Sequence, residues 1–165
     1  MSDRGEFGRI LAENERYTES FDRSALTAAP LRGIAIGACM DARLDVEETL
    51  GLRTGDAHII RNAGGLATDD VIRSLIVSQA LLGTDEIVVI GHTGCGLLGA
   101  DEAAIHAKLA RSSGVDLDMG FGSFDDLEAS VLGSVERLRA HPGVRTTRVH
   151  GLVFDVATGR LHELT

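Results

Sequence analysis

Apolar positions recur along this chain in two rhythms. Phe7, Ile10, Leu11, Tyr17 and Phe21 fall at helical spacing, which predicts an amphipathic helix over residues 6–22. Short unbroken apolar runs follow. Gly33-Ile-Ala-Ile-Gly-Ala38, Ala57-His-Ile-Ile-Arg61 and Glu86-Ile-Val-Val-Ile-Gly91 read as buried strands. Helical patterns lie between them. Asp45 to Leu50 predicts a brief helix, with Gly51 and Gly55 as breakers. Thr68-Asp69-Asp70 opens another, reaching about Leu82, apolar on most faces and expected to be buried. A third spans about Ala100 to Arg111, before a glycine-rich loop from Gly114 to Gly122. Ser123 with Asp126 resembles a capping box ahead of Phe124, Leu127, Val131, Val135 and Leu138, and Pro142 blocks continuation. Arg148–Val156 and Arg160–Leu164 flank Ala157-Thr158-Gly159, a hairpin signal.

Strands alternating with helices predict an α/β fold: a central, mainly parallel β-sheet flanked by helices, with a C-terminal β-hairpin. At 165 residues the expectation is one domain spanning 1–165. Aromatics make up 4% with no Trp, so the core must come from Val, Ile, Leu and Ala. A formal charge of −9 and scattered arginines argue against nucleic acid, whose phosphates need clustered cations. The start lacks the apolar stretch of a signal peptide, and no run approaches transmembrane length. The expected location is cytoplasmic, without membrane partners, where thiols persist and paired cysteines commonly bind metal.

The only two cysteines sit in the most informative segments, Cys39-Met-Asp41-Ala-Arg43 and Gly91-His92-Thr-Gly-Cys95-Gly96. Cys39 follows the first strand, and His92 with Cys95 follows the third. In open parallel sheets ligands gather beyond the carboxyl ends of strands, so these side chains are expected to converge. Two thiolates and an imidazole suit zinc, and three protein ligands leave the fourth position for water. The thiolates neutralise the dication, so bound water should be less acidic than the value of about 7 found with three histidines. Asp41 and Arg43 alternate with Cys39, which in an extended segment would turn all three toward the metal. A bidentate Arg43 would hold Asp41 ready to accept a hydrogen bond; unclamped, Asp41 could become a fourth zinc ligand.

These segments resemble those of β-class carbonic anhydrases, which carry Cys-x-Asp-x-Arg, then Arg-Asn-x-x-Gly/Asn, then Gly-His-x-x-Cys-Gly. The middle stretch is here Arg61-Asn62-Ala-Gly64-Gly65. The match covers roughly residues 33–100, with a weaker echo at His150-Gly-Leu-Val-Phe-Asp155, and it is most similar to the short mycobacterial-type branch. The resemblance implies one zinc per subunit on Cys39, His92 and Cys95, with Asp41 and Arg43 as the catalytic pair. It implies hydration of carbon dioxide to bicarbonate and a proton by zinc-bound hydroxide, and places Arg61, Gly64 and Gly65 at the substrate pocket. It also implies a homodimer or tetramer, with an N-terminal arm, residues 1–28, packed on the partner. Two departures stand out. The Gln that many relatives place before the first strand is absent. The Trp, Arg and Tyr that hold an inhibitory bicarbonate in some bacterial members correspond to Ile36, Arg61 and Phe154.

Three rival readings compete. Gly94-Cys-Gly96-Leu-Leu-Gly99 fits a dinucleotide fingerprint, although no acidic residue ends a strand about 20 positions on. The same zinc site would also serve hydrolysis of carbonyl sulfide or carbon disulfide. A closed structural zinc module is the third, but it leaves Arg43 without a purpose.

Overall fold

In the computed structural model, which describes residues 5–165, the expected alternation closes into one five-stranded sheet. Strands β1 (Ile34–Cys39), β2 (Ala57–Asn62), β3 (Glu86–His92) and β4 (Val149–Phe154) run parallel, and β5 (Leu161–Glu163) returns antiparallel on β4. Their order is β2-β1-β3-β4-β5, so β1 and β3 are neighbours at the centre. The helices are α1 (Gly5–Glu19), α2 (Val46–Leu50), α3 (Asp69–Leu82), α4 (Glu102–Ser113) and α5 (Leu127–Ala140). A single 3₁₀ turn, Ala63–Gly65, follows β2.

Both faces of the central strands are covered, which explains their unbroken apolar runs. On one face Ala35, Ile87, Val89 and Val149 meet Val71 and Leu75 of α3 and Val135 and Leu138 of α5. On the other, Ile36, Ala38, Val88 and Ile90 meet Leu44, Val46 and Phe154. Two strand glycines bring α5 close. A Cβ on Gly91 would lie 2.6 Å from Val131 Cγ2, and one on Gly151 would lie 3.0 Å from Val131 Cγ1.

Aspartates start three helices: Asp45, Asp101 and Asp126 accept from the backbone N–H of Glu48, Ala104 and Ala129 at 2.9, 3.1 and 3.0 Å. The cap of α5 is therefore Asp126 rather than Ser123. Ser123 is instead drawn to Glu102, whose carboxylate accepts from both its backbone N–H and its hydroxyl. Phe124 accordingly lies before the helix, bridged to Leu98. Helix α3 is less enclosed than its composition suggests, because the sheet covers one side only and leaves Val77 and Leu81 exposed. Helix α1 ends at Glu19, short of residue 22, and buries none of its residues. Phe7 is 66% exposed and Ile10 58%, so its apolar stripe has no cover among the described residues. No helix among the described residues is long and apolar enough to cross a membrane.

Candidate metal centre

Cys39 is the last residue of β1 and His92 the last of β3, with Cys95 in the turn that follows. Because β1 and β3 are parallel neighbours, their carboxyl ends coincide and the three donors meet: one ligand atom from each lies within 4.8 Å of the others. All three are buried, at 4%, 1% and 7% exposure.

Two observations show that the cradle fits a metal. His92 Nδ1 lies 3.0 Å from the Thr93 carbonyl. A carbonyl only accepts, so Nδ1 carries the proton and Nε2 presents its lone pair. That Nε2 is buried and has no hydrogen-bond partner, which is costly unless a cation completes it. The Cys95 thiol makes the same demand. Burial pushes it up, with the neighbouring Cys39 adding to the rise, so a bound cation is what would allow Cys95 to ionise.

The Asp41–Arg43 pair forms through a turn, not through the extended alternation expected from spacing. Asp41 Oδ1 accepts from the Arg43 backbone N–H at 2.9 Å, an Asx turn, and Leu44 N–H closes onto the Asp41 carbonyl at 3.1 Å. The turn folds the arginine back over its own aspartate. Arg43 Nε donates to Oδ1 at 2.9 Å and Nη2 to Oδ2 at 2.8 Å. Nη2 also reaches the Gly94 carbonyl at 2.9 Å, tying the β1 loop to the turn that carries Cys95. These hydrogen bonds hold the Asp41 carboxyl well below the usual carboxylate range, and Asp41 in turn raises Arg43. Asp41 Oδ2 lies 3.8 Å from His92 Nε2, beside the donor group but on the arginine.

Cys39, Asp41, Arg43, Gly64, Cys95 and Leu97 line a cavity of about 560 Å³. Of the other residues expected at the pocket, Arg61 turns to the backbone, with Nε on the Cys39 carbonyl at 2.9 Å and Nη2 on the Asp41 carbonyl at 2.7 Å. Gly65 sits beneath the cradle, at φ 66°. A Cβ there would lie 2.8 Å from the Ile90 carbonyl and 3.0 Å from Cys39 N. Ile36 and Phe154, which flank Arg61 in the comparison with bicarbonate-inhibited members, are both buried in the same core cluster.

Sequence reasoning missed three contributors. Asn62 spans the turn beneath the site, donating from Nδ2 to the Leu66 carbonyl at 2.9 Å and accepting from Leu66 N–H at 3.0 Å. Thr93 supplies the carbonyl on His92, and Leu97 supplies cavity wall. Asn62 and Thr93 stand inside the motifs as ordinary polar residues; only adjacency to a ligand or a strand end could have marked them. The glycines of the fingerprint-like run serve this site too, since Gly94 presents its carbonyl to Arg43 and α4 starts only at Glu102.

Fold and site together define an α/β metalloprotein with a Cys₂His donor set at the edge of a parallel sheet. A family model described as carbonic anhydrase matches residues 34–161. β-Carbonic anhydrase 1 of Mycobacterium tuberculosis is 45% identical over 156 residues, covering 94% of this chain and 95% of that protein. A crystal structure of carbonic anhydrase from Streptococcus mutans superimposes with a TM-score of 0.91 at 41% identity, covering 100% of this chain and 99% of that one. A carbon disulfide hydrolase of Acidithiobacillus thiooxidans is 38% identical over 152 residues, 79% of this chain and 76% of that protein. The chain belongs to the β-carbonic anhydrase family.

Proposed function

We propose that this protein catalyses the reversible hydration of carbon dioxide, CO₂ + H₂O giving HCO₃⁻ + H⁺, at a zinc held by Cys39, His92 and Cys95. The observation that carries the reading is the carboxylate–guanidinium pair on the wall of a cavity that also reaches two of the three metal donors. A purely structural site has no use for either feature.

When bound, zinc supplies Lewis-acid activation of water as the nucleophile. Asp41, kept ionised by Arg43, accepts a hydrogen bond from the attacking water and so aims its lone pair into the cavity. Arg43 holds the carboxylate there and keeps it from turning toward the metal. Leu97 and Gly64 give the cavity an apolar side against which a linear, uncharged molecule can lie. Arg61 fixes the backbone that carries Cys39 and Asp41, a positioning role.

The assembly that fits this chain is a homodimer in which the 1–28 arm, with its uncovered α1 stripe, packs on a second copy. A cytoplasmic location suits the two free thiols.

Stopped-flow hydration of carbon dioxide by the zinc-loaded protein tests the function, beside a Cys39→Ser control. Fast hydration that disappears in the control supports it. Zinc binding without hydration at neutral or alkaline pH overturns it, and turnover of carbonyl sulfide or carbon disulfide in that sample would assign the sulfur substrate instead.

A further inference from the structure

We propose that Thr93 and Asp155 form a latch that carries the C-terminal hairpin turn to the metal centre and sets the orientation of His92. The proposal rests on the zinc reading of Cys39, His92 and Cys95 and adds two positioning residues to it.

Thr93 is held by three ties, all to the segment that leaves β4. Its backbone N–H donates to the Phe154 carbonyl at 2.9 Å, extending the β3–β4 ladder by one residue. Its hydroxyl oxygen accepts from the Val156 backbone N–H at 3.1 Å. The hydroxyl proton points to Asp155 Oδ1 at 3.5 Å. The Thr93 amide and side chain are thereby pinned on either side of the α-carbon that carries its carbonyl, and that carbonyl receives the His92 Nδ1 proton at 3.0 Å.

Asp155 is in turn fixed by its own turn. Oδ1 accepts from the Ala157 backbone N–H at 2.8 Å, and Oδ2 from the Thr158 hydroxyl at 2.9 Å. Its backbone N–H meets the Arg160 carbonyl at 2.8 Å, which closes the hairpin onto β5. A carboxylate with this many donors is a rigid point. The chain of contacts therefore runs from the hairpin turn through Asp155, the Thr93 hydroxyl and the Thr93 carbonyl to Nδ1 of His92. Partners on the far nitrogen of a ligating histidine fix its tautomer and ring plane, and removing them costs about 10- to 100-fold in metal affinity.

Thr93→Val keeps the side-chain shape and removes the hydroxyl; Thr93→Ser restores it. The readout is the rate of zinc loss to an excess of a coloured chelator, with the d–d spectrum of the cobalt(II)-substituted protein as a second one. Leu138→Ala serves as a destabilised control far from the latch. The expected result is zinc loss about 10- to 100-fold faster in Thr93→Val and in Asp155→Ala, a shifted cobalt spectrum in both, and near-normal behaviour in Thr93→Ser. Zinc loss unchanged in Thr93→Val, or equally fast in Thr93→Ser or Leu138→Ala, overturns the proposal. A wild-type protein that takes up no zinc would instead sink the underlying zinc reading, so the two failures are distinguishable.

Discussion

The Asp41 carboxylate stands 3.8 Å from His92 Nε2 and gives that atom no hydrogen bond. Both are acceptors, and Arg43 holds the carboxylate where it stands, because both of its oxygens accept from the guanidinium.

Removing the guanidinium should therefore do more than weaken one contact. In Arg43→Ala the freed carboxylate can turn toward the metal, and carbon dioxide hydration is expected to fall by about 10²-fold or more. The loss should be deeper near neutral pH than in alkali, where hydroxide competes with the carboxylate. Arg43→Lys keeps the charge but not the two-pronged grip, and should recover only part of the activity. Stopped-flow profiles across pH would check both; equal losses at every pH would contradict the competition.

Acid stability follows from three carboxylates whose folded pKa values are lowered. Asp41 owes this to Arg43, Glu102 to the backbone N–H and hydroxyl of Ser123 and the backbone N–H of Phe121, and Asp155 to Ala157 and Thr158. A depressed carboxylate binds its proton more readily when unfolded. Its stabilisation is thus complete above the ordinary carboxylate range of about 4 and is lost as pH falls through the lowered folded value. Urea midpoints should stay level with respect to these groups above about pH 5 and drop below about pH 4. Glu102→Gln should flatten part of that drop, and an unchanged acid limb would count against the assignment.

Metal removal should cost stability as well as activity. The unpaired Nε2 of His92 and the crowded thiols of Cys39 and Cys95 lose their common partner when zinc leaves. Free zinc at a hundred times its dissociation constant would stabilise the fold by about 2.7 kcal/mol. Melting curves with zinc and with chelator should differ accordingly in the wild type and coincide in Cys39→Ser.

Gly65→Ala should be damaging at a position no chemistry touches. The backbone is in the left-handed region, and the new Cβ would press on the Ile90 carbonyl and on Cys39 N, neither of which is a flexible side-chain end. A loss of about 1–3 kcal/mol is expected from denaturant midpoints, with zinc retention reduced because Cys39 shifts.

Deleting residues 1–22 should leave the sheet folded, since no residue of α1 is buried among the described residues. Light scattering after gel filtration is expected to show a monomer where the full chain gives the proposed dimer. A truncated protein of unchanged mass per particle would remove the arm from the interface.

The sheet and the meeting of Cys39, His92 and Cys95 were legible because their signals are local. An apolar run ending in Cys39, and another ending in His92, declare both a strand and its carboxyl end, and parallel neighbours bring such ends together. The start of α5 was misread for the opposite reason. Ser123 has the chemistry of a cap, but a carboxylate brought in by α4 claims its donors, and no local pattern records that arrival. Arg61 is similar: its motif names the residue, whereas its partners, the carbonyls of Cys39 and Asp41, are set by the register of β2 on β1. Spacing suggested an extended Cys39–Arg43 segment, yet an Asx turn delivers the same meeting of Asp41 and Arg43 by another route.

The strand order also bears on how the protein is made. Residues between β1 and β3 must lay down β2 and α3 before β3 can return beside β1. A chain emerging from the ribosome therefore exposes Cys39 well before His92 and Cys95 exist, and parallel crossovers of this kind assemble slowly. Zinc can therefore meet its full donor set only once β3 and the turn after it have been made. Yield of active protein should accordingly depend more on keeping Cys39 reduced during synthesis than on the zinc supplied at that stage.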